Sequence, residues 1–224
     1  MPREPYQATL SDLQEDVLAM GSLVADRLEM ALDSLASGDE DLARRVIEGD
    51  DEVNDLYLSL EDRCIDLFAL QQPVASDLRL VAASFKILTD IERIGDLATN
   101  LAGYATAANA GLVPEVAIDD IGRDALGAFE RSLDAYADED AEACRAIAAA
   151  DDDLDALCQS ASETVARDLI EREADDDLWS VEQLLDDVSR VLLTIRDLER
   201  VGDHAVNIAA RTLYMTESST ELIY

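Results

Sequence analysis

An eleven-residue string occurs twice in this chain, as "DIERIGDLATN" from Asp90 to Asn100 and as "DLERVGDHAVN" from Asp197 to Asn207. The copies lie 107 residues apart, which sets Asp90 on Asp197, Glu92 on Glu199, Asp96 on Asp203 and Asn100 on Asn207. Upstream, a second correspondence runs at an offset of 101: Arg44 on Arg145, Val46 on Ile147, Asp50 on Asp151 and Asn54 on Asp155. Two matched segments in the same order mean two homologous halves. The difference of six between the offsets fits a longer second hairpin in the C-terminal half.

The apolar residues recur at helical steps almost throughout. Leu10, Leu13, Val17, Met20 and Val24 are followed by Leu28, Ala31 and Leu35, each three or four residues on. Gly38 suits the end of that helix and Asp39 the N-cap of the next, which should reach about Leu70. "QQP" at 71–73 breaks it, because a residue before proline avoids the α region. A third helix carries the first copy of the string. The stretch "NAGLVPEVAID", with Gly111 and Pro114, is the best boundary, giving units 1–110 and 111–224. Three more helices are expected over 117–137, 139–171 and 177–215, with the tail "TESSTELIY" frayed. No useful strand-like alternation is present. The expected fold is all-α: two tandem homologous three-helix bundles, six long helices in all, related as a pseudo-twofold repeat.

Composition narrows the setting. The 224 residues are 49% hydrophobic, too many for a disordered acidic chain. Against 51 Asp and Glu stand 17 Lys and Arg, a net charge of −34, and Lys86 is the sole lysine. Such a surface suits a cytoplasmic protein adapted to very high intracellular salt, which screens the self-repulsion. It speaks against nucleic-acid binding, which rests on basic contacts to phosphate. Cys64, Cys144 and Cys158 are odd in number, form no CxxC pair and sit in periodic apolar segments, so reduced core residues are expected. The N-terminus has no apolar leader segment, and no stretch approaches a membrane span. A soluble, cytoplasmic protein with no membrane insertion is the expectation.

The string also carries candidate chemistry. Glu92, Asp96 and Asn100 are spaced i, i+4, i+8 and lie along one helical face, as do Glu199, Asp203 and Asn207. The second helices add Asp50 with Asn54, and Asp151 with Asp155. Like charges at i, i+4 weaken an isolated helix by roughly 0.2–0.5 kcal/mol. An isolated pair is an ordinary solvated face in so acidic a chain. Repetition of the whole string in register sets these rows apart. If the rows face each other across antiparallel helices, they form an oxygen-rich patch suited to iron, manganese, magnesium or calcium. Gly95 and Gly202 let a neighbouring helix approach closely, and Arg93 and Arg200 can pair with adjacent acids. His204 is either an additional ligand or a partly exposed helical side chain.

Taken with "QQPVASDLRLV" at 71–81 and "DDEVNDL" at 50–56, the two strings closely resemble the PhoU family of phosphate-uptake regulators, over about residues 8 to 215. The resemblance implies two homologous three-helix bundles and a cytoplasmic, non-enzymatic regulator. The implied partners are a phosphate ABC transporter, through its ATPase subunit, and a phosphate-responsive histidine kinase or other regulator. It also implies multinuclear metal, iron or zinc, at E/DxxxD motifs. Carried onto this chain, those motifs are Glu92 to Asp96 and Glu199 to Asp203, with Asp50, Asn54, Asp151 and Asp155 as partners and Asn100 and Asn207 one turn further. A homodimer is the expected assembly. Two departures stand out. The C-terminal half has "READDDLWSVEQ" in place of "QQPVASDLR", so a partner surface on that hairpin belongs to the first repeat only. Asn54 stands where the second site has Asp155, so the first site has one charge fewer. The alternative is a di-metal carboxylate enzyme, but such sites use paired Exx-His motifs and this chain has one histidine. Trp179 is expected as a packing anchor, and Pro73, Ser76 and Asp77 as a capped helix start whose dipole favours an anion.

Overall fold

The computed structural model describes residues 3–70, 74–106, 117–172 and 178–223. The expected break at 71–73, Gly111, Pro114 and most of the expected boundary, and the side chain of Trp179 lie outside the described residues. The described chain forms helices α1 (Arg3–Ser37), α2 (Glu40–Glu48), α3 (Asp50–Leu70), α4 (Ala75–Thr106), α5 (Ile118–Asp138), α6 (Ala141–Arg172) and α7 (Leu178–Glu217). Gly49 alone separates α2 from α3 and keeps near-helical dihedrals, φ −85° and ψ −5°. The two therefore act as one interrupted second helix, and six long helices remain. The interruption was not expected. A Cβ on Gly49 would lie 1.8 Å from Arg27 Nη1, so the guanidinium of α1 occupies the space a side chain would need.

The first hairpins of the two halves are built alike. Gly38 has φ +70°, and Asp39 Oδ1 then accepts from the Asp41 and Leu42 amides at 3.0 Å each. One repeat later, Glu139 has φ +53°, and Asp140 Oδ1 accepts from the Glu142 and Ala143 amides at 2.9 and 3.0 Å. The same left-handed corner is thus made once with glycine and once with a residue that pays for its Cβ.

Helices α1, α2–α3 and α4 form one bundle and α5, α6 and α7 the other. They join where α4 packs along α7 and α1 along α5. Both seams are antiparallel: Asp90 meets His204 while Tyr104 meets Asp197, and Gly21 faces Leu133 while Gly122 faces Leu32. Hypothetical Cβ atoms on Gly21 and Gly122 would lie 2.6 Å from Leu133 Cδ2 and Leu32 Cδ2 respectively, so each helix takes a leucine from the other against bare backbone.

One apolar core runs through both bundles, with Ile87, Leu88, Ile91 and Ile94 of α4 and Ile195, Leu198 and Val201 of α7 buried within it. Inside it, Tyr136 of α5 and Ser84 of α4 share a hydrogen bond at 2.6 Å. The three cysteines are free and buried, and burial pushes the Cys64 and Cys144 thiols up to about 11. No helix among the described residues is long and apolar enough to cross a membrane.

The tail is not frayed. Ser218 turns the chain back with φ +58°, Arg145 binds Glu217 and Glu221 at 2.5 and 2.7 Å, and Leu222 packs beside Cys144, Ile147 and Leu213. Two carboxylates bracketing one arginine, over a small apolar patch, hold the returning chain down.

The two corners provide a test. Glu139→Gly is expected to raise unfolding free energy by about 0.5–1 kcal/mol in chemical denaturation, because it removes left-handed strain that Gly38 already avoids. A less stable variant would mean that the Glu139 side chain contributes more than its backbone conformation costs.

Candidate functional site

In the second bundle, Asp151 and Asp155 sit one turn apart on α6, and Glu199 and Asp203 one turn apart on α7. The helices come together at Gly202, where a Cβ would lie 2.5 Å from Leu154 Cδ2 and 3.1 Å from Asp151 Oδ1. This glycine therefore brings a carboxylate of α6 against the backbone of α7. Burial, then repulsion from Asp155, Asp203, Asp152 and Glu199, pushes Asp151 from its ordinary 3.8 up to about 6. Asp155 is raised by burial and by Asp203 and Asp152, and Glu199 by burial and by Asp155 and Asp203. The nearby Cys158 thiol rises to about 12, chiefly by burial and then by the same four carboxylates. Among the described residues, no basic side chain lies within ion-pair distance of Asp151, Asp155, Glu199 or Asp203. The four act on one another electrostatically, yet they form a row and not a cage. Among the described residues, no three Asp, Glu, His or Cys side chains converge closely enough to hold one ion by themselves.

The first bundle repeats the arrangement with its charge partly cancelled. Arg93 Nη1 donates to Asp96 Oδ2 at 3.2 Å, and its Nε lies 3.5 Å from Glu92 Oε2. Asp50 accepts from Asn54 Nδ2 at 3.1 Å and from Thr99 Oγ1 at 3.0 Å, which ties α3 to α4. Glu92 is still raised, first by burial and then by Asp96 and Asp50, with Arg93 and His204 working the other way. Asn100 is exposed one turn beyond. Gly95, the counterpart of Gly202, faces Val53 Cγ1 at 3.2 Å from its hypothetical Cβ, so a valine fills the place that Asp151 shares with Leu154 in the second bundle.

The head of the repeated string does something else. Asp90 is two residues from Glu92, about 200° around the helix, and its Oδ1 lies 2.8 Å from His204 Nδ1 and accepts from Asn207 Nδ2 at 3.3 Å. Its counterpart Asp197, buried where Asp90 is half-buried, accepts from Tyr104 OH at 3.0 Å, with Arg200 Nη1 3.6 Å away. Both aspartates thus bind across the α4–α7 seam. The structure engages His204 and Asn207 there, with the Asn207 amide turned to Asp90. Arg93 and Arg200 are equivalent in sequence, but the first pairs with the acidic row and the second turns to the seam. Helical-face reasoning missed Asp90, Asp197 and Tyr104. Both aspartates keep register in the two copies while lying off the i, i+4 row, which sets them apart in the sequence but does not name their partners.

The raised Asp151 has a thermodynamic consequence. Its folded value lies above its unfolded one, so the cost of ionising it is full above about pH 6 and is relieved as pH falls towards about 4. In chelator-treated protein, Asp151→Asn is expected to raise the denaturation midpoint near neutral pH and to flatten the pH dependence over that window. A variant less stable than the parent near neutral pH would show that the carboxylate is compensated.

Comparison with known proteins places this geometry. The PhoU domain family model matches residues 17–105 and 118–212, one match in each half. The chain is 32% identical over 219 residues to the phosphate-specific transport system accessory protein PhoU homolog of Pseudomonas aeruginosa, covering 96% of this chain and 87% of that protein. It is 30% identical over 213 residues to the phosphate-specific transport system accessory protein PhoU of Escherichia coli K12, covering 93% and 84%. The crystal structure of PhoU from Pseudomonas aeruginosa matches with a TM-score of 0.87 at 31% identity, over 96% of this chain and 100% of that one. That of the phosphate transport system regulatory protein PhoU from Streptococcus pneumoniae matches with a TM-score of 0.86 at 26% identity, over 96% and 98%. With both halves matched and the fold shared over nearly its whole length, this chain belongs to the PhoU family.

Proposed function

We propose that this chain regulates phosphate uptake from the cytoplasm, as a metal-carrying adaptor that restrains a phosphate ABC transporter through its ATPase subunit and communicates with a phosphate-responsive histidine kinase. The names of its relatives, accessory and regulatory proteins of phosphate transport, support the regulatory part. The observation that carries the metal part is the row of Asp151, Asp155, Glu199 and Asp203, in which Asp151, Asp155 and Glu199 are raised by burial and then by neighbouring carboxylates, with no basic side chain among the described residues to offset them.

The donor set fits a multivalent cation. Carboxylate oxygens suit iron, manganese, magnesium and calcium, and zinc accepts them as well. A row spread along two helices suits several ions bridged by shared carboxylates better than one caged ion. When bound, such ions would supply positive charge that joins α6 to α7. In the first bundle Asp50, Asn54, Glu92, Asp96 and Asn100 offer the equivalent row. There Arg93 already offsets Glu92 and Asp96, and Asn54 replaces a carboxylate, so metal is held more weakly. Asn207 would join the second site only by giving up its bond to Asp90.

Elemental analysis of protein purified without chelators is expected to find one or more metal ions per repeat. Glu92→Ala with Asp96→Ala should empty the first site and spare the second, and Asp155→Ala with Asp203→Ala the reverse. Loss of both sites from either pair would contradict independent sites. Pulldown is expected to recover the transporter's ATPase subunit from phosphate-replete cells. Its absence in both replete and starved cells would overturn the adaptor role, and undiminished binding by metal-free protein would remove the metal from the mechanism.

A further inference from the structure

The outer edge of α3 exposes Leu58, Ile65 and Phe68 at 55%, 51% and 38%, and Leu78 near the start of α4 is 44% exposed. Leu58, Ile65 and Phe68 fall on one side of the helix by their spacing of seven and three residues. Asp55, Asp62 and Asp66, all exposed, run along the flank of that side. An apolar stripe of this kind is unusual on so charged a surface.

The fold does not require it. At the offset of 101, the buried positions Val53, Leu60 and Cys64 align with Leu154, Ala161 and Val165, which are buried as well. The register therefore holds from Val53 to Cys64. Yet Leu58 and Ile65 align with Gln159 and Ala166, also exposed but without the large apolar groups. Phe68 aligns with another large apolar residue, Leu169, but at Leu58 and Ile65 the second repeat does without one, so these two serve something outside the bundle.

Charge decides the occupant. A second copy docked here antiparallel about a twofold axis would set one Asp55–Asp62–Asp66 flank near the other, and in either orientation it adds acid to a chain whose net charge is already −34. A partner with basic flanks meets attraction instead. We infer that this edge of the first bundle docks a partner protein through a basic amphipathic helix. The apolar side of that helix covers Leu58, Ile65 and Phe68, and its lysines or arginines face Asp55, Asp62 and Asp66. The inference is independent of metal, since none of these residues belongs to the acidic rows.

The test uses the full chain and a fluorescently labelled amphipathic peptide of leucine and lysine, about five turns long, with a scrambled peptide of equal composition as control. Leu58→Gln with Ile65→Ala copies the second repeat onto the first, and circular dichroism checks that the fold survives. Anisotropy is expected to show the amphipathic peptide binding the parent about tenfold or more tightly than it binds the variant, because the variant loses the apolar area to be covered. The scrambled peptide should not distinguish them. Asp62→Asn with Asp66→Asn should make peptide binding less dependent on salt. Equal affinity for parent and variant, or no preference over the scrambled peptide, would overturn the inference. So would a dimer in sedimentation that Leu58→Gln with Ile65→Ala dissolves, which would assign the edge to a second copy.

Discussion

Helices α4 and α7 are each packed on two sides, against their own bundle and against one another. Their antiparallel seam carries polar contacts at two places. Asp90 meets His204 and Asn207, and Asp197 meets Tyr104. A buried or half-buried carboxylate needs a partner, and here each aspartate takes a hydrogen bond from the other half of the molecule. The seam thus fixes how the two bundles face each other, and so where the acidic rows point.

The repeated string can serve several ends because a helix presents different residues to different directions. Ile91, Ile94, Leu97, Ala98 and Leu101 are buried. Glu92 and Asp96 run beside the second helix of the same bundle, and Asp90 reaches the other bundle. Each direction places its own demand on residue type, which is why so much of the string recurs. Where the halves differ, the cause is local. Arg93 lies beside Glu92 and Asp96 and lowers the net charge of the first row, whereas Arg200 is drawn towards Asp197 and leaves the second row uncancelled.

Much of the fold was legible because its signals are short in range. Apolar steps of three and four, Gly38 before Asp39, and two fixed offsets suffice for six long helices in two matched halves. The Gly49 interruption was not legible, and the Arg27 guanidinium lying over it comes from α1, remote in the chain. Nor was the ordered tail, which depends on Arg145 meeting Glu217 and Glu221 across more than seventy residues. The acidic rows could be read from spacing, whereas their facing across helices was only a condition that the sequence left open. The seam residues could not, because nothing in the chain says that Asp90 and His204, 114 residues apart, will touch.

By itself, then, the sequence determined the helices, their duplication and the helical faces on which carboxylates stack, since each depends on residues a few positions apart. Only the tertiary structure decided which acids keep their charge uncancelled, which asparagine turns to the seam, and that Leu58, Ile65 and Phe68 face outward. Those outcomes depend on which helix lies alongside which, and at what distance. Side chains remote in the chain set both, by competing for the same partners and the same space.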